Sequence, residues 1–125
     1  MRLLLDTHVA LWWFNDPTRV RPAALEAIED GANEAILSAA SVWEAGIKQS
    51  VGKLTPPRSL AESARLKGLI ELQVSWEHAT LAADLPLLHG DPFDRMLIAQ
   101  AVVDDLVLVT RDPLVQQYDV ATMPA

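Results

Sequence analysis

The chain has 125 residues, 50% of them hydrophobic, enough for one compact domain with a real core. It has no cysteine, which removes disulfide frameworks, thiolate nucleophiles and zinc–thiolate sites. Ten basic residues against 17 acidic leave a net charge of −7, which argues against broad, unassisted nucleic-acid binding. That charge still allows an enzyme that meets phosphate through metal ions, and it suits a basic protein partner. No signal-peptide layout opens the sequence, and no run approaches the ~18 apolar residues of a membrane span. The expectation is a cytoplasmic protein with no membrane contact. Without repeats, low-complexity tracts or a dividing linker, residues 1–125 read as a single domain.

Leu3-Leu4-Leu5 predicts a strand buried on both faces, as in the middle of a parallel sheet. Ala10 to Phe14, the run Ala10-Leu11-Trp12-Trp13-Phe14, predicts a short helix ending at Asn15-Asp16-Pro17. Pro22 to Asp30 predicts a helix with Pro22 at its first position and Gly31 past its end. Glu34 to Leu37 is a short strand, and Ser38 to about Val51 a second helix stopped by Gly52 and Pro56-Pro57. Arg58 to Leu66 is a short helix and Leu69 to Val74 a strand. Ser75 caps a helix from Trp76 to about Leu85, and Pro86 to Gly90 is a loop. Asp91 to Val103 is the clearest helix, Leu106 to Thr110 a buried strand, Pro113 to Gln117 a helical turn and Tyr118 to Ala121 an edge strand. Five strands alternating with helices predict an α/β fold, a three-layer domain with a parallel five-stranded sheet flanked by helices.

Four acids stand out. Asp6 follows the first buried strand, and ligands of open α/β sheets sit beyond the carboxyl ends of the strands. It could equally cap the next helix. Glu44 shares a helical stripe with Ala40, Ile47 and Val51, so it faces inward and needs a partner. Its alternative is a capping box, Ser41-x-x-Glu44. Asp94 heads the stripe of Leu97, Ile98 and Ala101, although the helix dipole alone would favour an acid there. Asp112 follows the strand Leu106–Thr110, with a capping role before Pro113 as its alternative. As a set, the four predict carboxylates converging on one crevice, and a hard cation is the usual remedy for their repulsion. Oxygen-only ligands favour Mg²⁺ or Mn²⁺ over zinc. His8, His78 and His89 read as surface or loop residues, with His8 at the rim of the site.

At these residues the sequence resembles the PIN domain, and within it the VapC-type ribonuclease toxins of prokaryotic toxin–antitoxin pairs. The marks are Leu4-Leu5-Asp6-Thr7-His8, Ser41-Val42-Trp43-Glu44, the specific run Asp91-Pro92-Phe93-Asp94-Arg95-Met96-Leu97-Ile98-Ala99-Gln100-Ala101, and Val109-Thr110-Arg111-Asp112. The resemblance implies a Mg²⁺-dependent endoribonuclease whose acidic quartet is Asp6, Glu44, Asp94 and Asp112, with Asp6 and Asp94 the most direct metal ligands. It implies small hydroxyls at Thr7 and Thr110 that orient the acids, with Asp91 as an outer acid or only a cap. It also implies a homodimer inhibited by a small VapB-type antitoxin. Arg95 and Arg111, beside the acids, are candidate RNA contacts, and Trp12, Trp13 and Phe14 are candidates for the partner groove or dimer seam.

Three other readings compete with this one. A signalling receiver domain would place an acidic pair after the first strand and a lysine after the last, but Thr7 follows Asp6 and the lysines are Lys48, Lys53 and Lys67. An aspartyl-phosphate phosphatase would want a second aspartate at position 8, where His8 stands. A non-catalytic PIN-fold binding module would not need the intact quartet.

Overall fold

The computed structural model of this protein describes residues 1–50 and 59–125. The predicted helix ends at Val51 and Arg58, and the stops at Gly52 and Pro56-Pro57, lie outside the described residues. Among the described residues, five strands form one sheet in the order β3-β2-β1-β4-β5: β1 (Arg2–Leu5), β2 (Glu34–Ser38), β3 (Ile70–Leu72), β4 (Val107–Thr110) and β5 (Thr122–Pro124). Every pairing is parallel, with Leu4 opposite both Ile36 and Leu108. The sheet is therefore the α/β layered arrangement expected, and β1 lies at its centre.

The centre follows from the leucine triplet. Successive side chains on a strand point to opposite faces, so Leu3 and Leu5 enter one apolar cluster and Leu4 the other. All three are 0% exposed. The first cluster packs β1 against α1 (Thr7–Asn15), α2 (Pro22–Glu29), α3 (Ala39–Ser50) and α4 (Leu60–Lys67). The second packs it against α6 (Pro92–Val103), through Leu97, Ile98 and Ala101. α5 (Trp76–Asp84) lies alongside α6. Helices thus cover both faces, as parallel crossovers require.

Most boundaries shift by one or two residues, and two shift by more. The first helix begins at Thr7, not Ala10, because the Asp6 carboxylate caps it by accepting from His8 N at 3.0 Å. The last strand is Thr122–Pro124, not Tyr118–Ala121: the apolar side chains of Tyr118 and Val120 pack into the second cluster from an irregular segment. Pro124 is tolerated because β5 is an edge strand, where a missing N–H breaks no ladder. No helix among the described residues is long and apolar enough to cross a membrane.

Candidate metal centre

β1 and β4 run side by side, with Leu5 opposite Val109, so Asp6 and Thr110 emerge together at the carboxyl edge of the sheet. Strand order reverses between them, since β2 and β3 lie to one side of β1 and β4 and β5 to the other. That crevice is where ligands bind in open α/β sheets. Asp6, Asp94 and Asp112 line one cavity there of about 260 Å³, together with His8, Val9, Trp12, Arg111 and Pro113.

Asp6 is held from several directions. Thr110 Oγ1 donates to its Oδ2 at 2.7 Å, His8 N donates to its Oδ1, and the His8 ring lies 3.7 Å away. Burial pushes the Asp6 pKa up, but the bonds to His8 and Thr110 outweigh it and hold the carboxyl below the ordinary aspartate range. The Asp6 carboxylate both caps α1 and lines the cavity.

Glu44 is only 3% exposed. The capping-box alternative fails, since α3 starts at Ala39 and Ser38 Oγ takes the Ala40 N–H at 3.1 Å. Ser41 instead accepts the Thr7 hydroxyl at 2.8 Å. Glu44 Oε2 accepts from Lys48 Nζ at 2.8 Å, and Lys48 also meets His8 Nε2 at 3.2 Å. Among the described residues, Glu44 Oε1 is buried with no hydrogen-bond partner. A buried carboxylate oxygen without a donor is costly, and a cation would satisfy it.

Asp94 sits in the first turn of α6, behind Pro92 and the cap made by Asp91 Oδ1, which accepts from Phe93 N at 2.8 Å and Asp94 N at 3.3 Å. Burial and the charges of Asp6 and Asp91 push its pKa up to about 7, against the opposing pull of His89. Asp112 Oδ1 accepts from Leu114 N at 2.9 Å, and its own N–H goes to Thr110 Oγ1 at 3.1 Å. One hydroxyl thus orders two of the acids.

His89 corrects the reading of that residue as a plain loop histidine. Its Nε2 lies 2.9 Å from Asp94 Oδ2 and 2.8 Å from Asp112 Oδ2. One donor atom from each of these three residues falls within 4.8 Å of the others, close enough to meet on one ion. Burial works against a charge on His89, but the bond to Asp112 and the charges of Asp94, Asp112 and Asp91 raise its pKa overall. His78 is likewise not a surface residue: it is 4% exposed, completes a capping box with Ser75 and meets Asp104 at 3.1 Å. His8 does stand at the rim, and there the Asp6 hydrogen bond raises its pKa against burial and the Lys48 charge.

The remaining candidates divide. Thr110 touches the acids, whereas Thr7 reaches them only through Ser41 and the seating of α3. Asp91 acts as the cap of α6. Arg95 does not face the cavity: its guanidinium donates to the carbonyls of Ala82, Leu85 and Pro86 at 2.9, 2.9 and 3.0 Å. Arg111 does line the cavity, bonded to the carbonyls of Arg19 and Ala125 and lying 4.3 Å over the Trp12 ring. Trp12 carries Arg19 as well, at 4.9 Å. Trp13 is buried, donating to Glu29 Oε1 at 3.1 Å, and Phe14 stacks on it and opens into a groove with Leu11, Val42, Ala45 and Leu60. Sequence reasoning missed Lys48 and His89. Lys48 carried a readable signal, four residues after Glu44 on one helix face; His89 carried none.

The donor set is chemically suited to a hard divalent cation: three aspartates on one cavity, a fourth acid with an unsatisfied oxygen, and Asp94 with its pKa raised by burial and by its anionic neighbours. Comparisons with known proteins agree with the resemblance. A family model described as PIN domain matches residues 3–121. The chain is 35% identical over 117 residues to ribonuclease VapC22 of Mycobacterium tuberculosis, covering 88% of this chain and 86% of that one. Among solved structures, VapBC2 from Rickettsia felis bound to promoter DNA superposes with a TM-score of 0.73 at 16% identity, over 99% of this chain and 98% of that one. DNA-bound VapBC from Salmonella typhimurium gives 0.68 at 18% identity, over 99% and 98%. At such identities these structures speak to the fold alone.

Proposed function

Because the chain belongs to the PIN domain family, we propose that it is a Mg²⁺-dependent endoribonuclease, with Mn²⁺ able to substitute, acting as the toxin of a toxin–antitoxin pair. The observation that carries the metal-dependent reading is the convergence of Asp6, Asp94 and Asp112 on one cavity, beside a buried Glu44 oxygen that lacks a partner. The named activity of its 35% identical relative supports the choice of RNA as substrate.

In this reading Asp6 and Asp94 hold the ion, and Glu44 and Asp112 complete its surroundings directly or through water. When bound, the cation supplies positive charge for a phosphodiester and acidifies a water. The protein's own residues do the rest. Thr110 and the His8 backbone keep Asp6 ionised and fixed in direction. Lys48 gives the buried Glu44 Oε2 a charged donor at 2.8 Å and fixes its direction. Arg111, steadied on Trp12 at the cavity wall, is the cation we assign to an RNA phosphate. Arg95 is left out of that role because it does not line the cavity and carbonyls take both of its terminal nitrogens, whereas in Arg111 they take one.

A cognate VapB-type antitoxin fits the same reading, since the structural neighbours include VapBC assemblies and a toxin–antitoxin complex from Klebsiella pneumoniae. The groove that Phe14, Leu11, Val42, Ala45 and Leu60 line is the surface we assign to its apolar side chains. A homodimer is the expected state of the free toxin. The deciding experiment is incubation of purified protein with RNA, with Mg²⁺ or EDTA, beside Asp6→Asn and Asp94→Asn. Cleavage that survives EDTA, or survives both substitutions in folded protein, would reject it.

A further inference from the structure

The loop 86–90 is built in a way that hydrophobicity does not explain. Leu87 is 86% exposed, while the His89 side chain two residues later is only 12% exposed. A free loop would turn the leucine in and the imidazole out. The loop is instead fastened in the reverse sense. Tyr118, itself buried, accepts from Leu88 N at 3.1 Å and His89 N at 2.8 Å, and donates to Pro86 O at 2.6 Å. Arg95 adds bonds to the carbonyls of Pro86 at 3.0 Å and His89 at 3.4 Å.

The ring's own partners fix how it is presented. Asp91 N–H points at His89 Nδ1 at 3.2 Å, which places the hydrogen of a neutral ring on Nε2. That N–H lies between the carboxylates of Asp94 and Asp112. Two carboxylates at this range repel, and a shared donor gives each an attractive contact in place of that repulsion. The same hydrogen makes Nε2 an orienting donor in this arrangement, not a metal ligand.

We propose that His89 is a positioning residue of the metal centre, its Nε2–H spanning Asp94 and Asp112 and setting their separation, and that Tyr118 and Arg95 aim it. The proposal rests on the metal-dependent reading above and adds a residue to it. Outer groups of this kind govern metal affinity because they orient the ligands before the ion arrives.

Two substitutions separate aiming from mere packing. His89→Asn keeps an acceptor for the Asp91 N–H but is too short to reach both carboxylates. His89→Gln extends an N–H donor about as far as Nε2. Mg²⁺ and Mn²⁺ titrations by calorimetry, with melting temperatures in EDTA, should show His89→Asn weakened about 10- to 100-fold. His89→Gln should stay within a few-fold of the parent. Tyr118→Phe, which loosens the loop, should weaken binding in the same direction as His89→Asn. Equal affinity of His89→Asn and the parent, or equal losses in the Asn and Gln variants, overturns the proposal while leaving the metal reading intact. A parent protein that binds neither ion removes both.

Discussion

Thr110 Oγ1 donates to Asp6 Oδ2 at 2.7 Å, joining residues 104 positions apart in the chain. The same oxygen accepts from Asp112 N at 3.1 Å, so one hydroxyl ties the ends of β1 and β4 to two acids. Thr110→Val keeps the shape and removes both bonds. It should cost about 1–3 kcal/mol and lower Mg²⁺ affinity about tenfold or more. Chemical denaturation and metal titration test the two parts separately.

Asp6→Asn and Asp94→Asn should both abolish cleavage yet affect stability in opposite ways. Asp6 is held ionised by donors, so the amide loses their charge-assisted bonds. Burial and like charges disfavour ionised Asp94, so its amide removes a repulsion. In EDTA above pH 7, Asp94→Asn should melt higher than the parent and Asp6→Asn lower. An Asp94→Asn melting temperature below the parent's would refute the contrast.

The pH dependence of the metal-free protein follows from the same group. Asp94 has a folded pKa of about 7 and an unfolded value near the ordinary 3.8, so the folded state binds more protons between them. Stability therefore falls as pH rises from about 4 to about 7. The raised pKa of His89 acts in the same sense through its own folded value, favouring the folded state at lower pH. Mg²⁺ takes the place of that proton, so binding near pH 7 should release protons. Calorimetry in two buffers of different ionisation heat measures the release, and buffer-independent heats would contradict it.

Lys48→Met leaves Glu44 buried without its donor at Oε2. With the lysine side chain 30% exposed, the loss should be about 1–3 kcal/mol, below that of a fully buried pair. Saturating Mg²⁺ should recover more stability in this variant than in the parent, because the cation then serves a more needy carboxylate. Equal metal-induced shifts in melting temperature would argue that Glu44 lies outside the ion's reach.

Phe14→Ala and Trp12→Ala should part company. Phe14 opens into the apolar groove, and its truncation should weaken capture of the antitoxin about tenfold, or ~1.4 kcal/mol. Trp12 carries Arg111 and Arg19 at the cavity edge, so its loss should lower RNA cleavage while sparing that capture. Co-purification and cleavage assays on both variants read the split.

The architecture was legible because it rests on local chemistry, and three of the four acids singled out, Asp6, Asp94 and Asp112, line one cavity. A leucine triplet ending in aspartate announces a central strand with a polar lip, and Asp91-Pro92 announces a helix start. At Asp6 capping and a place on the cavity wall turned out not to exclude each other. What stayed hidden was tertiary. Arg95 looked like an RNA contact by its place next to Asp94, yet it clasps carbonyls 9 to 13 positions back. His89 looked idle because nothing nearby reveals that Tyr118, 29 positions on, turns it inward. The final strand was misplaced because Tyr118 and Val120 supply core without supplying ladder.

The order β3-β2-β1-β4-β5 puts β1 in the middle of the sheet, waiting for β4, a neighbour made much later in the chain. A chain made as far as Asp94 has not yet formed the cavity, because β4 and Asp112 are still to come. The crevice at the carboxyl edge is thus a late product of folding, present only once β4 has docked against β1.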